Sequence, residues 1–297
     1  MSDETDPLRK RWQASVQCLI HELCSSSSQT SAAGIDHKKQ QTLDEQSLIW
    51  LENVAKLYAE PHRAYHNMTH VQDVIASLDF LLDGTDSPID AQTTNDEAIL
   101  ILAAFFHDVI YNPKSSTNEK DSADLFLQFA NELFTIIATS QNPRKGSTSE
   151  NDSGKCKMVM QIEECIIATA THISSAETAH KNRNQILAIF LDADMSILGK
   201  DVDIYNKYAG CIRREYEFVD RNMYCDKRAD ILESFLPLMN EAEAKQISAT
   251  SAALEKKHSF IYATEKARTR WEEQARENLR NEIEMLRSGV IPCEILQ

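Results

Sequence analysis

The sequence of 297 residues is poor in the two residue types that make tight turns, with only seven glycines and seven prolines. Sandwiches and propellers built from many short strands need more turn formers than this. The hydrophobic fraction of 42% and the charged fraction of 26% are close to the globular average, which excludes disorder of the whole chain. The composition therefore predicts a globular protein of the all-α class.

Basic residues are also scarce, because 31 Lys and Arg stand against 46 Asp and Glu, for a net charge of −15. Binding to a nucleic-acid backbone requires a basic stripe that displaces counterions, and the sequence has none. Anionic membrane surfaces are disfavoured for the same reason. We therefore expect neither a nucleic acid polymer nor a membrane among the partners.

The seven cysteines are an odd number, are scattered along the chain and form no C-x-x-C pair. This pattern favours neither a disulfide framework nor a thiolate zinc site. The longest apolar run, residues 98–106, is far shorter than the ~20 residues that span a bilayer, and residues 1–21 contain no signal-peptide core. These features predict a cytoplasmic protein.

Most of the sequence has apolar residues at helical spacing. Residues 98–110 are apolar almost all round, which is typical of a helix at the centre of a bundle. Ser116 and Glu119 have the spacing of a capping box, which predicts a helix start there. Apolar residues at helical spacing predict further helices near residues 48–58, 71–82, 123–133, 162–167, 186–198, 205–216, 231–238 and 254–286.

Two segments, residues 24–36 and 141–155, interrupt this periodicity and are rich in Ser, Thr, Gly and Asn. Helical patterns run on both sides of each, so we interpret them as loop insertions within a single domain over residues 1–297. The long C-terminal helix can pack on the same bundle or on a second subunit, so the sequence leaves open whether the chain forms a homo-oligomer.

Histidines cluster in one part of the sequence, since four of the nine, His62, His66, His70 and His107, fall between residues 62 and 107. His107 is followed by Asp108 at the end of the apolar run. Imidazole nitrogen together with carboxylate oxygen suits a divalent cation of borderline hardness, and burying an unpaired carboxylate is costly. A metal ion is therefore a simple partner for this pair, although a single histidine at a helix end is more often a cap or a core residue.

Three motifs occur in order along the chain, namely YHNMTH at 65–70, FHD at 106–108 and DADMS at 192–196. This order resembles the H…HD…D signature of the HD-domain superfamily of metal-dependent phosphohydrolases. The YHNxxH and ADMS forms are also similar to those of cyclic-nucleotide phosphodiesterases. A branch of predicted HD phosphohydrolases of unsettled substrate has further similar stretches, which here read EPHRAYHNMTHV, AAFFHDVIY, NEKDSA, FLDADMSILG, IRREY, RADIL and ARENLRNEI.

The resemblance implies an HD-domain helical bundle with a helical C-terminal extension, and it implies a set of metal ligands. These are His70, His107, Asp108 and Asp194, with Asp192 as the rival of Asp194. Two positions apart on a helix, the two aspartates point in nearly opposite directions, so only one of them should reach an ion directly. We choose Asp194 because it matches the phosphodiesterase pattern, and Asp192 then becomes a capping or supporting group.

The resemblance also implies catalytic roles. His66 matches the position that protonates the leaving oxygen in phosphodiesterases, although a structural role beside Tyr65 is an equal alternative. Asp108 would orient the attacking water. Many HD proteins carry two further histidines before the final aspartate, and His172 and His180 lie in that interval, with His172 the better candidate.

Three arginines stand out in a chain that has few cations, namely Arg213, Arg214 and Arg228. Guanidinium groups suit phosphate oxygens, so we consider these residues as substrate-binding candidates. Ion pairing on a helix surface is the commoner use of such residues, because Glu215 and Glu217 are close in the sequence.

Taken together, the residues and the resemblance predict a metal-dependent phosphohydrolase that cleaves a phosphate ester of a nucleotide or another small phosphorylated metabolite. The cofactor would be a divalent metal ion, and the sequence does not distinguish Mn, Mg, Co, Ni, Fe and Zn. Two alternatives remain, a non-catalytic HD module that binds a nucleotide or a partner and an HD-type di-iron oxygenase.

Overall fold

The structure, a computed structural model, describes residues 6–26, 35–83, 91–138, 156–172, 175–176, 179, 183–236 and 260–292. Within these ranges the chain forms α-helices and short 3₁₀ turns without any strand, which confirms the predicted all-α class. The α-helices are α1 Pro7–Ser26, α2 His37–Tyr58, α3 Met68–Leu82, α4 Ala91–Phe106, α5 Asn118–Ala138, α6 Lys157–Ala168, α7 Gln185–Asp194, α8 Val202–Glu215, α9 Arg221–Phe235 and α10 Glu265–Arg287.

The chain divides into two compact units. Unit 1 comprises Met1–Glu60, His66–Ile75 and Leu82–Ala170. Unit 2 comprises Pro61–Tyr65, Ala76–Leu81 and Thr171–Gln297. The predicted single domain stays a prediction, since a division into compact units does not decide it.

The core of unit 1 is built around α4. Residues 98–106 are buried without exception, as the apolar character of all sides of this helix predicts. Helix α1 packs along α4, and the buried indole of Trp12 lies edge-on to Phe105, with ring centroids 5.1 Å apart. The same indole donates a hydrogen bond to Ser47 Oγ on α2, at 2.9 Å. The helix ends at Phe106 rather than at residue 110, so that His107 and Asp108 follow its last turn.

In unit 2, the C-terminal helix α10 packs against α9 and against the 3₁₀ turn Met195–Gly199, which directly follows α7. Gly199 is required at this contact, because a Cβ atom there would lie 2.4 Å from Trp271 Cβ and 2.6 Å from the Trp271 carbonyl oxygen. The helix predicted within residues 254–286 is observed from Glu265 to Arg287.

The two predicted insertions lie mainly outside the described residues. Helix α1 extends through Ser26, so residues 24–26 are helical and the predicted loop begins too early there. Asp36 caps α2, because its carboxylate accepts a hydrogen bond from the Lys39 backbone N–H at 2.9 Å. The segment 141–155 is outside the described residues altogether. Among the helices that are described, none combines the length and the hydropathy needed to cross a membrane.

Candidate metal centre

Three side chains of unit 1 converge on one point. His70 Nε2 and His107 Nε2 are 3.0 Å apart, and Asp108 Oδ2 lies 3.4 Å from the first and 3.1 Å from the second. Two imidazole nitrogens at this separation need a proton or a cation between them, because two lone pairs would repel each other. The group His70, His107 and Asp108 could therefore hold a metal ion.

Two distant segments supply these residues. His70 lies in the first turn of α3, and His107 and Asp108 directly follow α4. The His107 backbone N–H still donates to Ala103 O at 2.9 Å, so the buried helix fixes the position of the residue. The predicted adjacency of His107 and Asp108 at a helix end is thereby observed, and it allows both side chains to face the same point.

The tautomer of His107 follows from its second ring nitrogen. His107 Nδ1 lies 3.0 Å from the carbonyl oxygen of Ala104, and since a carbonyl only accepts, Nδ1 is the donor. In the neutral imidazole the lone pair is then on Nε2, which faces His70 and Asp108. Metal-binding histidines characteristically donate their other ring N–H to a carbonyl or carboxylate in this way.

The spacing of the three atoms fits a metal ion. Ligand atoms bound at about 2.0–2.1 Å in tetrahedral or octahedral geometry are about 2.9–3.4 Å apart. The three observed distances, 3.0, 3.1 and 3.4 Å, fall in this interval. His70 and His107 are buried, whereas 18% of the Asp108 side chain is exposed. The group is therefore reachable from solvent on the side of the carboxylate.

The charge state of Asp108 suits a metal ligand. Burial by itself would raise the pKa of its carboxyl group, but the His107 and His66 imidazoles nearby, together with the His70 ring, hold the pKa well below its ordinary value. The carboxylate is consequently ionised at neutral pH and supplies a negative charge to the group.

His66, the predicted proton donor, is partly exposed in unit 1 and stacks on Tyr111. The two ring centroids are 4.2 Å apart with an angle of 29° between the planes, and the His66 ring is 5.8 Å from that of His70. The sequence predicted no role for Tyr111 in the site, although its position three residues after Asp108 could have suggested one.

Asp194 and His172 form a pair of their own in unit 2. His172 Nε2 lies 2.7 Å from Asp194 Oδ2, with 22% and 10% of the respective side chains exposed. His180, the other histidine considered for a second ion, is outside the described residues. The predicted roles of Asp194 and His172 as ligands stay predictions.

Asp192 is occupied by backbone donors. Its two carboxylate oxygens accept hydrogen bonds from the N–H groups of Ala263 and Thr264, both at 2.7 Å. Thr264 is the residue that caps α10. Burial raises the pKa of Asp192 to about 6, against the lowering effect of these hydrogen bonds. Asp192 therefore ties the residues directly before α10 to α7.

The three candidate arginines lie in unit 2, and the structure gives each of them protein contacts. Arg213 Nη1 donates to the carbonyl oxygens of Tyr216 and Val219, at 2.7 and 3.2 Å, just beyond the end of α8. Arg228 is largely buried and pairs with Glu282, with Nε 3.1 Å from Oε1. Arg214 is exposed, and its guanidinium lies 3.8 Å from Cys211 Sγ. Substrate binding by these residues stays a prediction.

Glu215 has a role that the sequence did not reveal. We expected Glu215 to be one of the acidic neighbours of the arginines on a helix surface, but it is only 3% exposed. Its carboxylate accepts a hydrogen bond of 2.7 Å from the backbone N–H of Tyr65, within unit 2. It thus links the IRREY stretch to the stretch that precedes His66 in the sequence.

No protein-family model matches this sequence, and no curated protein matches it significantly.

Proposed function

We propose that this chain is a metal-dependent phosphohydrolase that cleaves a phosphate ester of a nucleotide or another small phosphorylated metabolite. One observation carries the proposal, the convergence of His70 Nε2, His107 Nε2 and Asp108 Oδ2 within 3.4 Å of one another. Two nitrogens and one carboxylate oxygen suit divalent ions of the first transition series, and Mg less so.

In this proposal, His70, His107 and Asp108 hold the ion. The ligand role that the HD resemblance implies for Asp194 stays a prediction. The choice of Asp194 is supported by Asp192, whose two oxygens already accept backbone hydrogen bonds. Bound by His70, His107 and Asp108, a divalent ion would lower the pKa of a water towards neutrality and offset negative charge on the phosphoryl group.

The chain supplies the remaining chemistry through two side chains. The carboxylate of Asp108 accepts a hydrogen bond from the attacking water and so orients its lone pair towards phosphorus. As the bond between phosphorus and the departing oxygen breaks, an N–H of His66 gives its proton to that oxygen, so that the leaving group departs as a neutral alcohol. The proton released by the attacking water restores His66. The stacking of His66 on Tyr111 keeps the ring in one orientation for this transfer.

The experiment has two stages. Elemental analysis of the purified chain identifies the bound metal, and a panel of phosphate monoesters and diesters is then assayed for hydrolysis with Mn, Mg, Co, Ni, Fe and Zn. Asp108→Asn and His66→Gln test the two side chains. Glu52→Gln, a carboxylate-to-amide change at an exposed position on α2 of the same unit, is the matched control.

We expect hydrolysis of at least one ester by the metal-loaded chain, loss in Asp108→Asn and no change in Glu52→Gln. Full activity in a metal-free Asp108→Asn variant would contradict the proposal. Metal binding without hydrolysis of any ester would favour a binding module, and oxygen consumption with an iron-loaded chain would favour an oxygenase.

A further inference from the structure

The buried helix α4 stops earlier than its sequence predicts, directly before two of the candidate metal ligands. The helix ends at Phe106, whose carbonyl oxygen accepts a hydrogen bond from the Val109 N–H at 3.3 Å. In a continued α-helix this carbonyl would instead accept from the N–H of Ile110, four residues further on. A partner outside α4 must therefore satisfy the backbone of Ile110.

That partner is Ser122, the fifth residue of α5. Its side chain is fully buried, and its Oγ accepts a hydrogen bond from the Ile110 N–H at 3.0 Å. The same hydroxyl donates to the Ile110 carbonyl oxygen at 3.3 Å. One hydroxyl thus pairs with both backbone groups of Ile110, and an alanine at position 122 would leave both groups without this partner.

Asn118, the first residue of α5, pairs with Asn112 in the same way. Its Oδ1 accepts from the Asn112 N–H and its Nδ2 donates to the Asn112 carbonyl oxygen, both at 3.0 Å. Because Asn118 and Ser122 are four residues apart, they share one face of α5. Both belong to the NEKDSA stretch, one of those that carry the HD resemblance. The two residues that they hold, Ile110 and Asn112, flank Tyr111 in the sequence.

Asp108 lies between two anchors as a result. On its N-terminal side, His107 is fixed by α4, since its backbone N–H donates to Ala103 O and its Nδ1 donates to Ala104 O. On its C-terminal side, Ile110 is fixed by α5. All of these residues belong to unit 1.

The early end of α4 matters for the direction of the Asp108 side chain. Neighbouring residues of a continuous α-helix point about 100° apart, which would direct His107 and Asp108 to different places. Instead, His107 Nε2 and Asp108 Oδ2 lie 3.1 Å from each other. The hydrogen bonds of Ile110 to α5 take the place of those that would continue the helix through Asp108.

We infer that the start of α5 is a positioning element for the metal ligand Asp108, with Ser122 and Asn118 as its positioning residues. The inference rests on the proposed function, because it takes Asp108 as a ligand. Groups that orient a ligand characteristically affect metal affinity by about 10- to 100-fold. A residue with a merely structural role would change stability without changing this affinity.

The test measures the affinity of the full chain for Mn²⁺ by electron paramagnetic resonance, with urea unfolding of each variant in parallel. Ser122→Ala and Asn118→Ala each remove one pair of hydrogen bonds, and Asp108→Asn tests the ligand itself. Ser47→Ala is the control for Ser122→Ala, because it removes another buried hydroxyl of unit 1, which accepts from Trp12 Nε1 at 2.9 Å. Asn131→Ala, at an exposed position of α5, is the control for Asn118→Ala.

We expect Ser122→Ala to weaken Mn²⁺ binding by about tenfold or more. Asn118→Ala should weaken it less, because its hydrogen bonds are exposed and lie further along the chain from Asp108. Ser47→Ala should lower the free energy of unfolding but keep the wild-type affinity, and Asn131→Ala should change neither.

Wild-type affinity in a folded Ser122→Ala variant, together with loss of binding in Asp108→Asn, would overturn the inference and leave the proposed function intact. An equal loss of affinity in Ser47→Ala would overturn the inference as well, since it would trace the effect to stability. If Ser122→Ala does not fold, the comparison of Asn118→Ala with Asn131→Ala decides. Wild-type affinity in Asp108→Asn would overturn both the proposed metal site and the inference.

Discussion

Two carboxylates removed from bulk water, Asp108 in unit 1 and Asp192 in unit 2, have opposite kinds of partner. Asp108 faces two imidazole rings, and the rings hold its pKa well below the ordinary value. Asp192 faces two backbone N–H groups, yet burial raises its pKa to about 6. The first arrangement gathers ligand atoms around a common point, whereas the second satisfies its acceptors with the protein's own donors.

This difference distinguishes a site that can bind a cation from a contact that stabilises the fold. Imidazole nitrogens and a carboxylate that converge at about 3 Å gain from a cation between them. A carboxylate with one backbone N–H on each oxygen gains little from a ligand and is costly to lose, since the two donors are then left buried and unsatisfied. Substitution of Asp108 should therefore lower the activity, whereas substitution of Asp192 should lower the free energy of unfolding.

The largest effect is expected for Asp108→Asn. The neutral amide removes the negative charge of the proposed metal site, and the charge stabilisation that a bound ion supplies is worth several kcal/mol. Phosphate-ester hydrolysis should fall by at least about a thousandfold. Initial rates with the metal-loaded variant measure this, and an unchanged far-UV circular dichroism spectrum shows that the helices remain. If the Asp108→Asn variant lost helix content along with activity, Asp108 would act on stability, as is expected of Asp192, and the two residues would no longer differ.

Asp192→Ala should act on stability. It leaves the partly buried N–H groups of Ala263 and Thr264 without their acceptor, and an unsatisfied group costs about 1–3 kcal/mol when it is buried. We expect the free energy of unfolding to fall by about 3 kcal/mol, as measured by urea denaturation. Asp192→Asn, which keeps one carbonyl oxygen, should lose less. A loss of under about 1 kcal/mol in Asp192→Ala would show that these hydrogen bonds are not needed.

Added metal should distinguish the two aspartates by thermal unfolding. A ligand present at a hundredfold excess over its Kd stabilises the folded state by about 2.7 kcal/mol, which corresponds to a rise in Tm of roughly 4 °C for a chain of this size. Wild type should show this rise with Mn²⁺ and lose it with a chelator. Asp108→Asn should show none, and an equal rise in that variant would place the bound metal elsewhere.

The sequence predicts the buried helix of unit 1 well, because the apolar character of residues 98–106 on all sides leaves no face for solvent. The end of that helix is less predictable, since it stops at Phe106 although apolar residues continue to Ile110. The predicted capping box is wrong in register: α5 begins at Asn118, and Thr117 rather than Ser116 precedes it, with its hydroxyl donating to Asp121 at 2.7 Å.

The composition of the candidate metal site is predictable in part. The adjacency of His107 and Asp108 is visible in the sequence, but their convergence with His70 depends on two segments 37 residues apart, and only the ligand chemistry of the residue types and the HD resemblance suggested it. The partners of Asp192 are 71 and 72 residues away and are backbone groups, which carry no signal in the residue type. Arg213 likewise contacts carbonyls, so its role at the end of α8 was not predictable from its charge.

The smallest effect is expected at Glu272. Its carboxylate forms hydrogen bonds with the backbone just before the residues to which Asp192 is hydrogen-bonded. Its carboxylate accepts from the backbone N–H of Ile261 at 3.1 Å and pairs with Arg276 at 2.7 Å. Glu272→Gln keeps one acceptor oxygen and loses the charge of the pair, so the free energy of unfolding should fall by only about 1 kcal/mol. Urea denaturation measures this beside Glu273→Gln, a change at the exposed neighbouring position that should have no effect. A loss as large as that of Asp192→Ala would mean that Glu272, rather than Asp192, is the main anchor of the segment before α10.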